Sequence, residues 1–105
     1  MKSIYKYPVN PLDYKIIKGT IEKFLSVEYQ PNNGICVWAA IDTNLPEEEY
    51  IVSCYGTGHK LPNDPGEYIG TVQMYSGEMV LHFFVKKADQ LKRERELIQE
   101  YDLEL

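Results

Sequence analysis

Two strand-like runs, Phe24 to Gln30 and Ile35 to Asp42, are separated only by Pro31-Asn32-Asn33-Gly34, and no other feature constrains the fold as tightly. Asn-Gly is a strong hairpin signal, because a two-residue type I′ turn needs positive φ at both central positions. The two runs are therefore expected to be antiparallel neighbours. The second, Ile35-Cys36-Val37-Trp38-Ala39-Ala40-Ile41, is almost wholly apolar. Such a run suits a strand covered on both faces. Its paired alanines imply close packing.

Other short runs follow the same logic. Ser3 to Val9 reads as a first strand at a sheet edge, since Pro8 cannot donate to a ladder. Tyr14 to Lys18, Tyr50 to Tyr55, Tyr68 to Tyr75 and Met79 to Val85 complete the set, with Ser76-Gly77 marking a second tight hairpin. The expected fold is mainly β: a small antiparallel sandwich or partly open barrel of about six to seven strands. At 105 residues and 44% hydrophobic content, the chain suits one domain with a modest core. Self-association is an easy way for so small a core to bury more surface.

From Asp89 the periodicity changes. Leu91, Ile98, Tyr101 and Leu105 fall on one helical stripe. The reading divides the chain into a β domain over 1–87 and a C-terminal α-helix over 88–105. Lys86, Lys87, Lys92 and Arg93 come early and Glu100, Asp102 and Glu104 late, against the helix macrodipole. That helix would need a surface to pack on.

The net charge is −5, and residues 88–105 carry three basic and six acidic side chains. A duplex-binding protein needs a basic face to release counterions, so duplex nucleic acid is not an expected partner. Cys36 and Cys54 have no partners at zinc spacing and read as free thiols in a reducing compartment. No apolar run reaches membrane-spanning length and the first residues lack a signal-peptide pattern. A cytoplasmic protein without membrane contact is expected.

The most distinctive stretch is Tyr55-Gly56-Thr57-Gly58-His59-Lys60-Leu61-Pro62. Two glycines around a threonine, directly after a strand, let successive amides turn outward as an anion-binding nest. Thr57 adds a hydroxyl, Lys60 a charge, and His59 a group that donates, accepts or titrates. Gly56, Thr57, Gly58, His59 and Lys60 are thus candidates to cradle a phosphate, with Tyr55, Tyr68 or Trp38 as a stacking face for a ring. Gly-x-Gly is common, no helix follows it, and a plain strand-to-loop connection explains it equally well. Alternation puts His82 with Val80 and Phe84 on one strand face, where a hydrogen-bonded structural histidine is the ordinary role. No catalytic, metal or cofactor motif stands out.

Leu25-Ser26-Val27, Val37-Trp38-Ala39, Gly56-Thr57-Gly58-His59, Gly66-Glu67-Tyr68-Ile69-Gly70-Thr71 and Val80-Leu81-His82-Phe83-Phe84 occur in that order. Together they resemble a family of short, uncharacterised phage and prophage proteins. Lys18 to Lys23 departs from that family's usual Pro-x-Gly turn, and the segment after Lys86 is an extension. The resemblance implies work in the cytoplasm of an infected bacterium. It also suggests a non-enzymatic anti-defence protein, a homo-oligomer that sequesters a phosphorylated nucleotide-derived immune signal. The alternative is an inhibitor or adaptor that meets a host defence protein through its acidic C-terminal helix. A small hydrolase using His59 and His82 ranks third.

Overall fold

The computed structural model describes residues 1–11 and 14–88. Seven strands follow one another: β1 (Lys2–Val9), β2 (Lys15–Gly19), β3 (Ile21–Gln30), β4 (Gly34–Asp42), β5 (Glu48–Gly56), β6 (Glu67–Met74) and β7 (Met79–Lys87). They form a three-stranded sheet, β1-β4-β3, and a four-stranded sheet, β2-β5-β7-β6. Every pairing is antiparallel. The two ladders remain separate, so the arrangement is a sandwich rather than a closed barrel.

Strand alternation builds the core. Ile35, Val37, Ala39 and Ile41 of β4 point inward and are buried. Opposite them lie Val52 of β5, Val72 of β6, and Phe83 and Val85 of β7. The apolar run of β4 is explained by its central place in the three-stranded sheet. Its second face is covered only in part: Cys36 is fully buried, whereas Trp38 and Ala40 are half-buried. β1 is an edge strand, and Pro8 sits opposite Cys36 in the outermost ladder.

The sheets come closest between β3 and β6. A Cβ at Gly70 would stand 2.7 Å from Val27 Cγ1, and Gly70 has φ 152° beside a ladder irregularity between Tyr68 and Gly70. A side chain at position 70 would push the sheets apart.

Both hairpins occur, with different turn chemistry from the expected one. Gln30 pairs with Gly34, Asn33 N–H donates to Gln30 O at 3.1 Å, and only Gly34 takes positive φ there. Pro31 presets the φ of an ordinary turn, so the left-handed residue moves to its end. In the β6–β7 hairpin, Tyr75 and Ser76 carry φ of 53° and 56°, followed by Gly77 at 87°. The type I′ signature thus falls one residue before Ser76-Gly77.

The expected C-terminal helix is corrected. The described residues form seven strands and no helical element. β7 runs on to Lys87 because its ladder with β5 continues through Tyr50↔Lys87. Of residues 88–105, where that helix is expected, 89–105 lie outside the described residues.

Candidate functional site

The outer face of the four-stranded sheet gathers most of the aromatic and hydroxyl side chains singled out in the sequence. In the ladders Tyr68 lies opposite Phe84, and Thr71 opposite His82, which in turn lies opposite Tyr55. Paired residues of an antiparallel sheet share a face. The rings meet edge to face: Tyr55 and Phe84 are 5.8 Å apart at 67°, and Tyr68 and Phe84 are 5.6 Å apart at 63°. This is the preferred geometry for ring quadrupoles. Tyr68 is 56% exposed, so one ring of the trio is open to a ligand.

Beside the rings runs a row of hydrogen bonds. Tyr68 Oη lies 2.5 Å from Thr71 Oγ1, which lies 3.0 Å from His82 Nδ1. His82 Nε2 lies 2.8 Å from Thr57 Oγ1. The row crosses from β6 through β7 to the loop after β5. His82 is half-buried within it, and both its ring nitrogens have partners. The row holds no carboxylate, so it lacks the group that steadies an imidazolium in a Ser-His-Asp triad.

The glycine-rich loop adjoins the Thr57 end. Gly58 has φ 87°, and His59 N–H donates to Gly56 O at 3.1 Å, closing a tight turn. The His59 ring folds over Gly56, where a Cβ would stand 2.9 Å from His59 Cε1. One amide of the expected nest is therefore engaged internally, as is the Thr57 hydroxyl. Lys60 is exposed and forms no ion pair among the described residues.

The structure thus brings Tyr55, Gly56, Thr57, Gly58, His59, Lys60 and Tyr68 to one sheet face or its bordering loop. It separates Trp38 from them. Trp38 projects from the outer face of the other sheet, between Lys6 and Ser26. Sequence reasoning left His82, Thr71 and Phe84 out of the site. Alternation already put His82 and Phe84 on one face, but only the β6–β7 register brings Thr71 to the imidazole.

A cavity of about 530 Å³ lies elsewhere, between the starts of β3, β5 and β6 and the end of β7. Phe24, Tyr50, Val85 and Lys86 are among its walls, and none of the expected site residues lines it. Tyr50 donates to Glu48 Oε2 at 3.2 Å. Burial, helped by that carboxylate, pushes its phenol above the ordinary range. No group of three or more metal-ligating side chains occurs among the described residues. No helix among them is long and apolar enough to cross a membrane.

Residues 1–94 match a family described as a domain of unknown function (DUF7352). The chain belongs to that family. No curated protein and no solved structure matches the chain. Within the DUF7352 region fall all seven strands, the glycine-rich loop and the whole His82 row.

Proposed function

We propose that this DUF7352 protein is a non-enzymatic binding protein for a phosphorylated, ring-bearing small molecule of nucleotide type. The ligand lies on the outer face of the four-stranded sheet. One observation carries the reading: the exposed Tyr68 ring, backed edge to face by Phe84, lies beside a hydroxyl–imidazole row that ends at the glycine-rich loop. Aromatic faces on a sheet stack bases, and mutational losses run to about 1–3 kcal/mol per base. The loop supplies the anion end through Thr57, Gly58 and Lys60.

The setting we propose is the cytoplasm of a phage-infected bacterium, where a homo-oligomer would hold an immune signal away from its receptor. Isothermal titration against linear and cyclic nucleotides and cyclic ADP-riboses tests the binding claim. Binding of at least one member is expected, weakened about tenfold or more by Tyr68→Ala. Absence of binding to every member would defeat the reading. Native mass spectrometry gives the subunit count and any retained molecule.

A further inference from the structure

Tyr68 Oη, Thr71 Oγ1, the two nitrogens of His82 and Thr57 Oγ1 form one unbroken row. Each hydroxyl both donates and accepts, and a neutral imidazole has one donor nitrogen and one acceptor nitrogen. The row therefore has two proton orders. In the first, His82 Nδ1–H donates to Thr71, Thr71 donates to Tyr68, and Tyr68 turns its proton outward. Thr57 then donates to Nε2 and offers only lone pairs to a ligand. In the second, His82 Nε2–H donates to Thr57, whose own proton turns outward. Tyr68 donates to Thr71, Thr71 donates to Nδ1, and Tyr68 offers only lone pairs. Whenever one end presents a donor, the other presents an acceptor.

The geometry points to a coupled recognition row in which His82 is a positioning residue whose tautomer makes the two ends read one ligand jointly. This rests on the ligand class proposed above and narrows its chemistry. A phosphate dianion only accepts. Bound at the Thr57 end, beside Gly58 and Lys60, it selects the second order. Tyr68 then needs a donor from the far end of the ligand, such as an exocyclic amino group. The favoured ligand carries phosphate at one end and a hydrogen-bond donor at the other. A ring whose edge only accepts is disfavoured.

The tautomer is read directly by long-range ¹⁵N–¹H correlation spectra of the full chain, with adenosine 5′-monophosphate and inorganic phosphate as probes. Saturation with either should move His82 toward the Nε2–H form, and Thr57→Val should abolish that response. Wild type should bind adenosine 5′-monophosphate about fivefold more tightly than purine riboside 5′-monophosphate, which lacks the amino donor, as expected for one hydrogen bond. Tyr68→Phe keeps the stacking ring, and with Thr71→Val it should erase that preference. If nucleotide binds while the His82 tautomer stays fixed, or the preference survives both substitutions, the coupled row is wrong and the ligand class stands. If wild type binds neither adenosine 5′-monophosphate nor phosphate, the coupled row falls, and the ligand class falls with it only when the whole nucleotide and cyclic ADP-ribose panel also fails to bind.

Discussion

On the outer face of the three-stranded sheet, Trp38 stands between Lys6 and Ser26 in the ladder; on the outer face of the four-stranded sheet, His82 stands between Tyr55 and Thr71. Both faces offer a large ring among polar neighbours. They differ in what holds those neighbours. Around Trp38 the polar links are long, exposed side chains: Lys2 Nζ lies 3.1 Å from Glu22 Oε1, and Lys6 Nζ lies 3.1 Å from Gln30 Oε1. Flexible surface pairs of this kind contribute little. Around His82 the links are threonine, tyrosine and imidazole groups with few rotatable bonds, and the rings brace one another. Such a surface loses less freedom when a ligand binds. On the proposed reading, preorganisation, more than aromatic content, separates the binding face from the ordinary one.

The comparison breaks most completely if the shared core fails. Phe83 is 1% exposed and lies under the site strand, on the side away from His82. Phe83→Ala should cost about 3–5 kcal/mol in urea unfolding and disturb both outer faces alike. Gly70→Ala comes next. Its Cβ would meet Val27, so about 1–3 kcal/mol of overpacking is expected. Amide spectra should change most at Tyr68 and Thr71, leaving the Trp38 face nearer to wild type. If the Trp38 face changed equally, the faces would not be independent.

Smaller changes sharpen the contrast. Thr71→Val should lower stability by about 1 kcal/mol, because it removes a hydroxyl bonded on both sides. Lys6→Ala should change stability by no more than about 0.5 kcal/mol. Equal losses would contradict the claim that only one face is ordered by its polar links. The smallest effect concerns Cys54, whose thiol lies 3.1 Å from Pro11 O. Burial pushes this thiol above the ordinary value of 9.0. The raised pKa supports the fold fully below the unfolded value and loses that support as pH climbs through the folded one. Urea midpoints should therefore slip slightly above about pH 9, and Cys54→Ala should remove that part of the slope.

Much of the fold was legible because strand periodicity and turn residues act locally. All seven strands were found within a few residues, and Pro8 correctly signalled an edge. The turn chemistry was less legible. Asn33-Gly34 invited a two-residue turn, but Pro31 favours an ordinary turn with Gly34 left-handed at its end. Tyr75 adopts positive φ although nothing in its side chain favours it. The sandwich, in place of a barrel, depends on strand pairing, which a single sequence does not display. The helical stripe after Asp89 gave no warning that β7 would stay extended to Lys87. For the candidate site, Tyr55, Thr57 and Tyr68 were picked out by loop and ring chemistry, and the structure places them on one sheet face or its bordering loop. Thr71 was not picked out, because only the register opposite His82 gives it a role. Trp38 was grouped with them for its ring alone, and it stands on the outer face of the other sheet.

Chemical-shift mapping during titration with a nucleotide panel tests the central claim most directly. The account predicts that saturable shifts gather at Tyr55, Thr57, Gly58, Tyr68, Thr71, His82 and Phe84, with Ile4, Lys6 and Trp38 unmoved. Shifts centred on Trp38 or on the cavity beside Tyr50, or no saturable shifts at all, would contradict it.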